Sequence, residues 1–205
     1  MRTYLASLCV LAACGADLQE PDATSVQERL AEPTMLEISL PNSAGAITAS
    51  RKTSDGWVPG LADLRVEHGS ILLSTDGDLL ALEDLVIALG PIAIPEEVLG
   101  YPLELTEIRL SLVDRVKVAG AWTSPDEAHG NTKIDLLLEW SLVNHGVTSP
   151  LGSPDLPPIP VELAVSGTAD RVHAEVRASA PGELWKWANV FRLEDLSLVI
   201  AADTP

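Results

Sequence analysis

The sequence predicts an all-β domain, mainly antiparallel, in the form of a curved sheet, sandwich or half-barrel with one or two short helices. From Met35 onward, apolar and polar residues alternate in many short segments, which is typical of antiparallel strands with one buried face. Glycine-containing turn signals separate these segments. Counting the segments gives about ten strands, at spacings typical of a sandwich or barrel.

The alternation is strongest in five places. The longest runs from Lys133 to Leu142, and the others lie at residues 36–40, 116–122, 161–165 and 171–177. Each has the two-residue period of a half-buried strand. We predict turns between strands at glycine and at the residue before it, namely at Asp55-Gly56, His68-Gly69, Asp76-Gly77, His129-Gly130, His145-Gly146 and Gly167.

One pattern occurs three times, at residues 80–89, 103–112 and 191–200. In each copy, apolar and polar residues alternate, the alternation shifts by one residue at a pair of polar residues, and it then continues. A slip of one residue would move the apolar side chains to the opposite face of the sheet, so a β-bulge or a bend must absorb it. We therefore predict three similarly kinked strands.

Each bulge should direct one acidic side chain outward, and these are Asp84, Glu107 and Asp195. An alternative interpretation is that the three copies are amphipathic helices. In that case Leu82, Leu85 and Leu89 would line one face of the first helix, because the pattern also tolerates a period of 3.6 residues.

A helix is predicted at Pro181–Asn189, because Leu184, Trp187, Ala188 and Phe191 have helical spacing and proline suits an early helical position. A single helical turn is predicted at Pro95–Leu99. Ser149–Pro160 contains five prolines and should form a semi-rigid extended connection inside one domain.

The N-terminal residues have the pattern of an export signal. A short n-region, Met1-Arg2, precedes an apolar run at residues 4–11, which is too short to span a bilayer. Leu11-Ala12-Ala13-Cys14 follows. This arrangement resembles the lipobox of bacterial lipoproteins. An ordinary signal peptide or a buried N-terminal strand that contains cysteine is the alternative.

The resemblance implies that residues 1–13 are a signal peptide and that Cys14 receives diacylglycerol and palmitate-like acyl chains. Residues 14–34 would then be the acylated N-terminus and a flexible tether, with one helical turn around Val26–Leu30. Residues 35–205 would form a single β-rich domain. By analogy with enterobacterial sorting, Gly15 and Ala16 after the cysteine favour the outer membrane, facing the periplasm or the cell exterior.

Charge and cysteine content exclude several classes of function. The formal charge is −17, from 13 basic and 30 acidic residues, and such a surface repels nucleic acid and anionic headgroups. The two cysteines are Cys9, in the signal peptide, and Cys14. The mature domain would therefore have no disulfide, no thiol nucleophile and no thiolate metal site.

No catalytic motif occurs in the sequence, so we predict neither an enzyme nor a cofactor. His68, His129 and His145 each precede glycine and are interpreted as turn residues. His173 alternates with charged neighbours and is interpreted as solvated. The loop 126–131 is a weak candidate for a metal site, through Asp126, Glu127 and His129.

Five tryptophans supply most of the aromatic content. Trp122 and Trp140 lie on apolar faces and are predicted to be core residues. Trp185 and Trp187 lie in the predicted helix, which could cross the mouth of the sheet. With Phe191 they are candidate ligand-binding residues, and the alternative is that they belong to the core.

Three functions remain open at this point. The first is binding of a hydrophobic, lipid-like ligand inside a curved sheet. An aliphatic-rich composition, bent strands and a lid-like helix together loosely resemble periplasmic lipid-carrier folds. The second is a non-enzymatic structural or interaction module that docks other envelope proteins. The third is a hydrolase, which would need a cleft where a histidine meets a carboxylate. The expected partners are thus the membrane, through the N-terminal lipid, and a hydrophobic molecule or an envelope protein.

Overall fold

The computed structural model describes residues 23–94, 96–99, 103–119, 121–144, 146–152 and 155–205. Within them, fourteen strands form one sheet whose pairings are all antiparallel, which confirms the all-β prediction. The predicted signal peptide, lipobox and Cys14 lie outside the described residues.

The strands are β1 (Thr34–Ile38), β2 (Ala44–Thr53), β3 (Gly56–Asp76), β4 (Leu79–Leu89), β5 (Ile92–Ile94), β6 (Leu103–Leu112), β7 (Val116–Val118), β8 (Trp122–Ser124), β9 (Glu127–Ile134), β10 (Leu136–Asn144), β11 (Val147–Gly152), β12 (Ile159–Thr168), β13 (Arg171–Trp187) and β14 (Phe191–Asp203). The helices are α1 (Val26–Arg29) and α2 (Glu96–Leu99), with a 3-10 turn at Leu40–Asn42. The strands outnumber the prediction partly because β5, β7 and β8 have three residues each, too few to show alternation. The strand predicted at residues 116–122 is also divided, because β7 ends at Val118 and β8 begins at Trp122.

The sheet closes on itself through one long strand. Only Asp135 separates β9 from β10, so the two form one nearly continuous strand. The strand predicted at residues 133–142 corresponds to the end of β9 and most of β10. The first half pairs with β12 and the second with β6. Pairing then continues from β6 through β4, β3, β1, β14 and β13 back to β12. This closed circuit surrounds one hydrophobic core.

The three repeated segments are strands with bulges, as predicted, and not helices. In β4 the register with β3 shifts at Glu83. In β6 the register with β10 shifts at Glu107 and the residue after it. In β14 the register with β2 shifts at Asp195 and the residue after it. Glu107 and Asp195 have φ of 53° and 54°, the left-handed conformation in which a bulge residue can turn the strand.

The bulges keep apolar residues on the interior face on both sides of each slip. Leu82 and Leu85 are both buried, as are Leu105 and Ile108, although three residues separate the members of each pair. In an unbroken strand, such a spacing would place one of them outside. The outward acids of this pattern, Asp84, Glu107 and Asp195, are all exposed, as predicted.

A serine on a neighbouring strand binds a carboxylate at each bulge. Ser50 donates to Glu194 over 2.6 Å, Ser141 donates to Glu107 over 2.6 Å, and Ser74 donates to Glu83. The three serines are buried. The three bulges therefore share a serine–carboxylate hydrogen bond as well as a register shift. This bond satisfies the buried serine hydroxyl.

The helix prediction at Pro181–Asn189 is wrong. Residues up to Trp187 belong to β13, whose register with β14 shifts between Ala180 and Glu183 and again between Glu183 and Trp185. The turn to β14 follows at residues 188–190. The two bulges and the turn place apolar residues three or four positions apart in the sequence, which is also the spacing of one face of a helix. Pairing with β14 decides the conformation, because a helix of nine residues is marginal on its own.

Three of the predicted turns lie inside strands. His68-Gly69 belongs to β3, His129-Gly130 to β9 and Gly167 to β12. A Cβ on Gly69 would lie 2.2 Å from the backbone oxygen of Val86, and one on Gly130 would lie 2.3 Å from Cγ1 of Val118. These glycines allow close approach of a neighbouring strand rather than a turn.

Other turn predictions hold. Asp55-Gly56 and Asp76-Gly77 join β2 to β3 and β3 to β4, and Gly56 and Gly77 have φ of 128° and 63°. Gly146 is a turn residue, whereas His145 lies outside the described residues. The turn predicted at Gly167 lies two residues later, at Ala169 and Asp170, although Gly167 itself has φ of 137°. The extended connection predicted at Ser149–Pro160 is shorter, because β11 and β12 include its two ends.

The described part of the predicted tether packs onto the domain. The helical turn predicted there is α1, and Ser25 caps it by accepting from the Glu28 amide. Val26 and Leu30 are fully buried in the core, and the Leu30 carbonyl accepts from the Thr75 amide over 2.7 Å. Folded structure therefore begins before Met35, the predicted start. The single turn predicted at Pro95–Leu99 is also present, as α2.

Candidate ligand cavity

An apolar cavity of about 60 Å³ lies inside the closed sheet. Its described lining comprises ten leucines, four isoleucines and Trp140. These residues come from β2 to β6, β10 and β12 to β14, with a single exception. The exception is Leu156, which lies between β11 and β12. The wall is therefore rigid sheet except at that position.

The bulges shape this wall. Leu105 and Ile108, on either side of the β6 bulge, both line the cavity, as do Leu193 and Leu196 on either side of the β14 bulge. Without the extra residue at each bulge, one member of each pair would face outward. The repeated pattern in the sequence thus supplies four of the residues that line the cavity.

Two of the predicted aromatic ligand residues, Trp185 and Phe191, lie beside the cavity and are not among its described lining. Trp185 contacts the lining residue Trp140 edge-to-face, with ring centroids 4.9 Å apart, and it also contacts Phe191 at 6.3 Å. Trp140 and Phe191 are buried, and Trp185 is half-buried. The backbone of Trp187 pairs with Phe191, and its side chain lies outside what is described. Trp185 therefore contacts the cavity wall through Trp140, and Phe191 contacts Trp185.

The leucines and isoleucines of the wall were not among the predicted site residues. A signal for four of them was present in the sequence, since they flank the polar pairs of the repeated pattern. The remaining wall residues belong to ordinary alternating strands. Nothing in their local sequence distinguishes them from core residues that contact no cavity.

Two histidines meet carboxylates on the outside of the sheet. His129 Nε2 lies 2.5 Å from Oε1 of Glu162 on the neighbouring strand, and His173 Nδ1 lies 3.0 Å from Oδ1 of Asp203. His129 is exposed and His173 is about half exposed, and neither lines the cavity. The prediction that His129 is a turn residue is wrong, because it alternates along β9 with its side chain toward solvent.

The weak metal candidates are not brought together around one point. The Asp126 carboxylate accepts from the Val26 amide over 3.1 Å, and His129 pairs with Glu162, while Glu127 is exposed. Across the described ranges, no group of three or more His, Cys, Asp or Glu side chains could hold an ion.

No helix in the described part of the chain is long and apolar enough to cross a membrane. Comparison with protein-family models, curated proteins and solved structures finds no match to this chain.

Proposed function

We propose that this protein is a bacterial lipoprotein of the outer membrane whose β domain binds the apolar part of a lipid-like ligand. The observation that carries the proposal is the cavity, whose described lining is apolar throughout. An apolar cavity favours an apolar guest over water, and each buried methylene contributes about 0.8 kcal/mol. The proposed role is binding, without catalysis or a cofactor.

The size of the cavity limits what enters it. A volume of about 60 Å³ gives room for roughly four water-sized groups at about 15 Å³ each. The cavity therefore takes the end of an acyl chain and not a whole lipid. Leu156, as the described lining residue outside the strands, is the position where the chain would enter, since the pairing beside it is a single bridge between Asp155 and Leu137.

Equilibrium dialysis of the full-length protein against radiolabelled hexadecanoic acid tests this proposal. We expect saturable binding at one site. Leu156→Trp should weaken binding at least tenfold, because the indole would occupy the cavity from its non-strand side. Leu137→Trp makes the same change on an exposed side chain of β10 and should leave binding within about twofold of the unmodified protein.

Two results would contradict the proposal. One is the absence of saturable binding. The other is a Leu156→Trp protein that is folded, as judged by circular dichroism, and binds hexadecanoic acid as well as the Leu137→Trp control does.

A second candidate function is docking of an envelope protein at β11. This strand lies at one end of the strand order, and Val147 on it is 65% exposed. Leu151 on β11 and Leu137 on β10 are also exposed. An edge strand offers unpaired backbone groups to an added strand, although Pro150 interrupts the edge. The absence of hexadecanoic acid binding would favour this candidate.

The membrane anchor has its own test. Cells that express the protein should incorporate radiolabelled palmitate into it in a form that survives denaturing electrophoresis. Cys14→Ser should abolish the label and release the protein from the membrane fraction, because two or three acyl chains are what hold a lipoprotein stably. An unlabelled protein, or a Cys14→Ser variant that stays in the membrane fraction, would contradict the anchor.

A further inference from the structure

Three cations surround one tryptophan on the outer face of the sheet. Arg192 lies 4.3 Å from the Trp57 ring centroid, Lys186 5.8 Å and Lys52 5.9 Å. We call these four residues the Trp57 cluster. Strand register builds it, because Lys52 on β2 is opposite Trp57 on β3, and Lys186 on β13 is opposite Arg192 on β14. The β14–β2 pairing joins the two hairpins.

The outer layer of this cluster is cationic on a chain whose formal charge is −17. Arg192 pairs with Glu194 over 2.8 Å, and the Glu194 carboxylate lies beneath it, bound by the Ser50 hydroxyl. Lys186 has only a long contact, of 3.9 Å, with Glu183. Lys52 has no carboxylate within ion-pair distance among the described residues.

Elsewhere, several basic residues are held by nearby acids. Lys117 donates to Asp76 over 2.6 Å, Arg115 pairs with Glu83 over 2.9 Å, and Arg177 pairs with Glu175. The Lys117 ammonium lowers the pKa of the Asp76 carboxyl. These pairs leave little net positive charge at their positions, as Glu194 does at Arg192, whereas Lys52 and Lys186 have no carboxylate closer than 3.9 Å among the described residues.

The hairpin tips next to the cluster add exposed apolar surface. Val190, in the turn between β13 and β14, is 48% exposed, and its carbonyl accepts from the Lys52 amide over 2.9 Å. This hydrogen bond ties the end of β2 to the β13–β14 turn. Tryptophan, lysine, arginine and an exposed aliphatic residue on a rigid tip form the composition of a surface that rests at a membrane interface.

We propose that the Trp57 cluster docks the domain onto an anionic lipid bilayer. Lys52, Lys186 and Arg192 contact the headgroups, and Val190 enters the interfacial layer beside them. The rest of the surface is acidic and is repelled by the same bilayer. The domain therefore binds the bilayer in one orientation, with the Trp57 cluster facing it. The sequence-based expectation that anionic headgroups are repelled then applies to the rest of the molecule. None of the four residues of the cluster is among the described residues that line the cavity.

Vesicle flotation of the full-length Cys14→Ser protein tests this proposal without the lipid anchor. Vesicles of phosphatidylcholine alone are compared with vesicles that contain 30% phosphatidylglycerol, a fraction chosen on the order of natural anionic lipid content. We expect at least fivefold more bound protein with the anionic vesicles, and loss of that difference in about 0.5 M salt, where exposed charges are screened.

Charge reversal then locates the surface. Lys52→Glu with Lys186→Glu should remove the preference for anionic vesicles. The matched control is Arg109→Glu with Lys133→Glu, which changes the net charge equally at two exposed residues of β6 and β9 and should keep at least half of the preference.

Several outcomes would overturn the proposal. They are equal binding to the two kinds of vesicle, no binding to either, and equal loss in the cluster and control variants. Displacement of the protein from anionic vesicles by 10 mM inorganic phosphate at constant ionic strength would also overturn the proposal. Such displacement would show that the cluster binds a soluble anion rather than a bilayer. Each of these results is independent of hexadecanoic acid binding.

Discussion

Gly69→Ala should lower the free energy of unfolding by about 3 kcal/mol, at the upper end of the usual cost of overpacking. Gly69 lies in β3 where β4 approaches closely, and an added Cβ would be 2.2 Å from the Val86 oxygen and 2.6 Å from Cδ1 of Ile38. The first of these contacts is with backbone, so relief requires that β3 and β4 separate. Urea unfolding followed by circular dichroism measures the effect.

Gly90→Ala is the matched control for this experiment. A Cβ on Gly90 would be 3.1 Å from Oε1 of Glu67, and the end of a flexible, exposed side chain can move aside. Gly90 is itself buried, so we expect a loss of no more than about 1 kcal/mol, at the lower end of the cost of overpacking. Equal effects of the two substitutions would contradict the close approach of β3 and β4 at Gly69.

Leu30→Ala should destabilise the domain by about 3 kcal/mol, the middle of the range for a buried leucine. Leu30 follows α1, is fully buried, and lies in the main core. If residues 23–34 were a flexible tether, the same substitution would have no measurable effect on stability. The experiment therefore decides where the folded domain begins, and unfolding in urea is again the measurement.

Leu61→Ala provides the comparison for Leu30→Ala. Leu61 is on β3 and is 67% exposed, so its truncation should cost no more than about 0.5 kcal/mol. A Leu30→Ala protein as stable as the Leu61→Ala protein would contradict the packing of α1 against the core.

The sequence was most informative where a structural feature depends on consecutive residues. The bulges at Glu107 and Asp195 are examples, because a polar pair interrupts a two-residue period and the interruption is visible without knowledge of the partner strand. The turns at Asp55-Gly56 and Asp76-Gly77 are also local, since each needs only a residue that tolerates positive φ.

Features that depend on a distant partner could not be predicted. Gly69 and Gly130 resemble turn residues in the sequence, and only Val86 and Val118 on other strands show why glycine is needed. At Pro181–Asn189, bulges opposite β14 produced a helical spacing. Leu30 is followed by Ala31, Glu32 and Pro33, and its burial depends on a core formed by later strands.

The candidate cavity was beyond local prediction for the same reason. Its wall combines residues from Ile47 to Leu196, which become neighbours only when the strand order is known. Composition indicated an aliphatic interior, and the repeated pattern indicated bends in it. Neither the composition nor the repeated pattern could predict a cavity, because an unfilled volume depends on how side chains from many strands pack together.

The pairing of the last strand with the first two has a consequence for biogenesis. β14 hydrogen-bonds to β1, β2 and β13, so the ring of strands stays open until β14 has been synthesised. Contacts between residues so far apart in the chain make folding slow, on a scale of milliseconds to seconds. A chain translocated from its N-terminus would accordingly cross a secretion channel unfolded, and would exist for that interval with unpaired strand edges that a chaperone could shield.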